Sequence, residues 1–162
     1  MTSTPDRAAS PLAPTRLHHY AFVVRDQEVN RQFFEDILGI PLVATWCERA
    51  YVEREGREVV FCHTFFELID GGALAFFQFA EPEMYERTAP PDTSAVSRYR
   101  HIALKVDSMT FDEIDARLTR AGIDHYTADH GYIRSMYMDS PDGLRVELTV
   151  DAEGVDQLLA DK

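Results

Sequence analysis

Residues 17–40, LHHYAFVVRDQEVNRQFFEDILGI, align with residues 99–123, YRHIALKVDSMTFDEIDARLTRAGI, so that His19 falls on His101, Ala21 on Ala103 and Val24 on Val106. A chain that repeats itself in this way is built from two copies of one supersecondary unit, and its fold must accommodate both. Gly39 and Gly122 close the two segments 20 and 21 residues after the aligned histidines. Val29, Phe33, Phe34 and Ile37 in the first copy, and Phe111, Ile114 and Leu118 in the second, recur at helical spacing. A glycine just past such a run suits the left-handed position that ends a helix. Each segment therefore reads as strand, turn, helix and glycine stop.

Three strand-like runs follow each helix, at 41–47, 59–68 and 74–79 in the first half and at 125–127, 132–138 and 144–150 in the second. Glycine turns, IDGG at 69–72 and SPDG at 140–143, join the last two of each trio. The order is β-α-β-β-β, twice, which predicts an α+β fold. Modules over 17–80 and 98–162 form one structural domain, with a disordered tail over 1–16 and a Pro-rich acidic linker over 81–97. A charged segment from Asp151 is a candidate last helix. Each module has one helix-covered face and one open face, and two of them side by side enclose a cleft within a curved mixed sheet.

The 28 acidic residues against 16 basic ones leave a formal charge of -12, which repels nucleic-acid phosphates and anionic lipid. The sequence also lacks an unbroken apolar stretch of spanning length and an apolar leader, so the expectation is a cytoplasmic protein with neither nucleic acid nor membrane as partner. Cys47 and Cys62 sit in apolar surroundings outside any CxxC or Cys-His spacing and read as buried free thiols.

Chemistry enters through strand alternation. In the strand beginning at each aligned histidine, the bulky Tyr20, Phe22, Ile102 and Leu104 suit the helix-packed side, which directs His19 and His101 into the cleft. In GLRVELTV, the apolar Leu144, Val146 and Leu148 share one face and Glu147 takes the other. In ALAFFQF the one polar residue, Gln78, takes the site matching Glu147 if the strands are aligned by Phe77 and Phe79. Two imidazoles and a carboxylate with open positions suit non-haem Fe(II); a neutral amide oxygen added to them suits Zn, Ni, Co or Mn. His18 is the neighbouring alternative to His19, which is preferred because His101 precedes the same apolar-Ala pair.

The HxA pattern in LHHYAFVVRD and RHIALKVD, the helix end FFEDILGI, and SMYMDSPDGLRVEL together resemble the vicinal oxygen chelate superfamily of glyoxalase I, methylmalonyl-CoA epimerase, extradiol dioxygenases and bleomycin resistance proteins. The resemblance spans residues 17–150. It implies one divalent metal held by His19, His101 and Glu147, as in extradiol dioxygenases, or by these and Gln78, as in glyoxalase I and the epimerase.

Tyr137 lies ten residues before Glu147, a spacing similar to that of the ring-cleaving enzymes, whose tyrosine bonds a substrate oxygen. His130, just before that strand, is placed to act as general acid or base. His63, Phe65 and Trp46 are candidate substrate contacts, and Tyr51 is expected with Trp46 at the mouth of the cleft. The favoured expectation is an Fe(II) extradiol-type dioxygenase acting on a small diol or catechol-like substrate. A glyoxalase I-like or epimerase-like lyase or isomerase using Zn, Ni, Co or Mn is the alternative, and a metal-free binding or resistance protein the third. Sheet edges of such modules often pair between chains, so a homodimer is expected, with the cleft formed within or across subunits.

Overall fold

A computed structural model describes residues 14–88 and 99–155. The first module runs β1 (His19–Val23), α1 (Gln27–Arg31, continuing as a π-helical segment over Gln32–Ile37), β2 (Leu42–Val52), β3 (Arg57–Glu67) and β4 (Ala73–Phe79). A short helix, α2 (Pro82–Thr88), follows. The second module runs β5 (Ile102–Lys105), α3 (Ser108–Ala121), β6 (His125–Asp129), β7 (Ile133–Asp139) and β8 (Arg145–Asp151).

The two sheets have the same topology, β1-β4-β3-β2 and β5-β8-β7-β6. In each, the first strand pairs parallel to the last and the remaining pairs are antiparallel. The β-α-β-β-β order expected from the repeat is therefore present twice. The helix starts follow from capping: Asp26 accepts from the N–H groups of Glu28 and Val29, and Asp107 from that of Thr110. Gly122 ends α3 in the left-handed conformation at φ 66, where a side chain would be strained.

Three expectations are corrected. The first hairpin is longer than the apolar pattern suggests, because β2 and β3 pair out to Val52 and Arg57 through polar residues such as Glu48, Arg49 and Glu58. Cys47 and Cys62 are not free thiols; they face each other across that hairpin and form a disulfide, with Cys47 exposed. The stretch expected to be linker begins as α2, whose Met84 is buried. The rest of the linker, most of the N-terminal tail and most of the C-terminal segment lie outside the described residues.

One core serves both modules. Phe33, Phe34, Phe66 and Phe76 of the first share a buried cluster with Phe111, Ile114, Leu118, Met136 and Leu148 of the second. Helices from both modules meet there, and Arg117 Nη1 of α3 donates to the Ile37 carbonyl at 3.5 Å. The helix-covered faces of the two sheets thus turn toward each other, and the open faces turn away. Among the described residues the sheets remain separate four-stranded layers, and β1 and β5 are edge strands that do not pair with one another.

Candidate metal centre

The open face of the second sheet carries one half of the expected site. Glu147, only 4% exposed, lies with its Oε2 2.7 Å from His101 Nε2 and its Oε1 2.9 Å from the Tyr137 hydroxyl, which donates to it. Register explains the grouping: Tyr137 is opposite Glu147 across the β7–β8 pair, so both project from the same side. His130 completes the line with Nε2 3.3 Å from the Tyr137 oxygen. Burial, and then the hydrogen bond to Glu147, push the Tyr137 hydroxyl above its ordinary pKa and keep it a donor. Tyr126, which sequence reasoning missed, stacks on Tyr137 with ring centres 5.1 Å apart. Its position opposite Tyr137 on β6 was the available signal.

The open face of the first sheet carries the other half. His19 Nδ1 lies 2.8 Å from His18 Nδ1, which engages that nitrogen and leaves Nε2 as the second ring nitrogen available to a ligand. The His19 ring stands 5.7 Å from Phe65 and 6.5 Å from His63. Trp46, 53% exposed, packs edge-on to Phe65 at 5.1 Å. His63 stacks on Phe77 at 3.7 Å, and its Nε2 is enclosed without a hydrogen-bond partner among the described residues. Burial, with a smaller push from His19, lowers the His63 pKa, so its imidazole is neutral at neutral pH.

Gln78 does not join either group. It lies on the helix-covered side of β4, where its Oε1 accepts the Gln27 N–H at 2.7 Å. The ladder shows why the alignment by Phe77 and Phe79 fails. Ala103 pairs with Glu147 in the second sheet, and its repeat mate Ala21 pairs with Ala75 in the first, so Ala75 holds the position equivalent to Glu147. Gln78 is three residues further on, and an odd offset reverses the face.

One chain therefore presents two half-sites on faces that point apart. Among the described residues, no group of three or more His, Cys, Asp and Glu side chains is close enough to hold a metal ion. The donor set on the second sheet nevertheless fits a cation. The Glu147 carboxylate is nearly enclosed, and its described neighbours are an imidazole and a phenol rather than a lysine or arginine.

This pairing of modules has a match among known proteins. Residues 16–148 match the family model of the Glyoxalase/Bleomycin resistance protein/Dioxygenase superfamily. The chain belongs to that superfamily. Its similarity extends to the glutathione transferase FosA of Serratia marcescens, 27% identical over 134 residues that cover 83% of this chain and 79% of the relative. Among solved structures, a glyoxalase/dioxygenase from Nostoc punctiforme superposes with a TM-score of 0.63 at 25% identity, covering 88% of this chain and 97% of the other. A mutant of the fosfomycin resistance protein FosX from Listeria monocytogenes, complexed with Mn(II) and 1S,2S-dihydroxypropylphosphonic acid, superposes with a TM-score of 0.60 at 19% identity, covering 91% and 99%. The vicinal oxygen chelate fold is thus the fold of this chain.

Proposed function

We propose that the protein is a homodimeric metal-dependent enzyme whose centre forms between subunits, from His101 and Glu147 of one chain and His19 of the partner subunit. The observation that carries this reading is the separation of the half-sites: the ligands of one chain lie on opposite outer faces, while its edge strands β1 and β5 are open to pairing. With Gln78 turned to the helix side, the protein ligands number three, a set that suits Fe(II) and leaves room for a substrate binding through two oxygens. That favours an extradiol-type dioxygenase acting on a diol or catechol-like small molecule. A divalent ion at this place supplies Lewis acidity toward two neighbouring oxygens and, as Fe(II), electrons for O2 chemistry.

The chain's own residues have separable tasks. Tyr137 gives its single hydroxyl hydrogen to the Glu147 carboxylate, and with substrate bound that hydrogen would turn to a substrate oxygen. His130, whose Nε2–H donates to the Tyr137 oxygen, keeps Nδ1 as the basic nitrogen, which takes up the proton released when a substrate hydroxyl ionises and returns it later. Trp46, Phe65 and His63 supply an aromatic wall, with the His63 ring available to hydrogen-bond the substrate rim.

The test is elemental analysis of anaerobically purified protein followed by oxygen uptake with a panel of catechols and added Fe(II). Iron near one per chain with catechol-dependent uptake supports the reading. Manganese, zinc, nickel or cobalt without uptake moves the assignment to a lyase or isomerase, and failure to bind any metal to a small-molecule binding protein. The similarity to the glutathione transferase FosA, with that to the FosX complex holding Mn(II) and a phosphonic acid, favours a second reading, a metal-dependent enzyme that modifies a small phosphonate. Consumption of fosfomycin and glutathione by the Mn(II)-loaded protein would establish it in place of the first.

A further inference from the structure

The two modules differ in one respect that the proposed centre does not use. In the second, α3 is 14 residues long, roughly 21 Å, and lies over strands of four to seven residues, at most roughly 23 Å. In the first, the helical segment over residues 27–37 is shorter, while β2 and β3 are 11 residues each, roughly 36 Å. The hairpin therefore overhangs its helix, and the Cys47–Cys62 disulfide ties the two strands of the overhang together. Beneath it, on the side of the sheet opposite His19, lies a cavity of about 340 Å3. That volume falls at the lower end of pockets that hold small ligands, about 300–1,000 Å3.

The walls are mainly carbon and sulfur, from Leu42, Val60, Phe66 and Cys62, with Thr45 and Gln78 as polar points. Gln78 is held in one orientation. Its Oε1 accepts the Gln27 N–H, and an amide oxygen must occupy that place because a nitrogen there would oppose donor to donor. Gln27 is itself fixed, with Nε2 donating to the Phe76 carbonyl at 2.8 Å and Oε1 accepting from the Thr64 hydroxyl at 2.7 Å. This leaves the Gln78 Nε2 hydrogens without an acceptor among the described residues, in a side chain that lines the cavity.

We infer that this cavity is a second small-molecule site, distinct from the metal centre, which takes an uncharged and mostly apolar ligand carrying one carbonyl-type acceptor for Gln78 Nε2. Charge supports the class: the rim carries Glu28 and Arg31, already bonded to each other, and the net charge of -12 disfavours an anion.

The test uses cyclohexanone as probe, titrated into isotopically labelled full-length protein and followed by NMR. Saturable shifts of the Gln78 side-chain amide and the Val60 methyls are expected. Gln78→Leu should weaken binding roughly three- to tenfold, the cost of one hydrogen bond. Val60→Trp, which fills the cavity, should abolish it while metal binding at His101 and Glu147 is retained. Shifts confined to His63 and Trp46 on the opposite face, shifts that never saturate, or wild-type affinity in both variants would overturn the inference.

Discussion

A carboxylate as enclosed as Glu147 needs a compensating partner, and the chain gives it one imidazole and one phenol. If these three are the core of a metal centre, truncations should rank by distance from the ion. His101→Ala and Glu147→Ala are expected to remove most Mn(II) or Fe(II) affinity, and Tyr137→Phe to cost roughly 10- to 100-fold because it only orients a ligand. His18→Ala should keep the site, and Gln78→Leu should leave metal binding unchanged, since Gln78 bonds the backbone of Gln27 on the far face. Calorimetric metal titration of the five variants checks the order, and an affinity loss for Gln78→Leu as large as that for Glu147→Ala would sink the three-ligand reading. The residue scale is also where the sequence was most and least legible. Matched histidines in a repeat are visible without coordinates, and so is a lone Glu among apolar neighbours. Whether Gln78 matches Glu147 depends on a ladder register that one strand's composition does not encode, and the slip of three residues reversed its face.

Elements came out of the sequence where periodicity and punctuation agreed. The helix over Ser108–Ala121 has a capping Asp, apolar residues at helical spacing and a terminal glycine, and it forms as those signals dictate. The π segment over Gln32–Ile37 and the extension of β2 and β3 carry no such signals. The first buries Phe33 and Phe34, and the second pairs two polar strand ends. Phe34 is fully buried against Phe33, Phe66 and Phe76, so Phe34→Ala should cost about 3–5 kcal/mol in denaturant unfolding, from lost transfer energy and the cavity left behind. The disulfide closes a loop of sequence separation 15, so its reduction should lower stability by at most about 3 kcal/mol, read as a shift in the urea midpoint with and without dithiothreitol. Asp107 caps α3 from an exposed position, and the Thr110 N–H holds its carboxyl below the usual range. The sign follows: this contribution is complete above the unfolded-state pKa and fades as pH falls through the lower folded-state value. Asp107→Asn should keep the melting temperature near neutral pH and flatten its fall on the acid side.

At the scale of the whole molecule, a shared core between the helix-covered faces decides where the site can be. A core that contains Phe34 and Phe76 from one module together with Leu118 and Met136 from the other draws the helix-covered faces together and leaves the open faces on the outside. Under the proposed reading, the cleft expected from the repeat is formed by a pair of chains, each donating one module to each site. This has a consequence that no single-chain arrangement shares. A chain carrying His19→Ala and a chain carrying Glu147→Ala each lack one ligand, and each homodimer should be metal-free at both centres. In the mixed dimer, isolated through two different affinity tags, one centre carries both substitutions and the other carries neither. The mixed dimer should therefore bind metal at about half the wild-type stoichiometry, with wild-type affinity at the surviving centre. If each centre were built within one chain, every centre of the mixed dimer would lack a ligand, and metal analysis would find none.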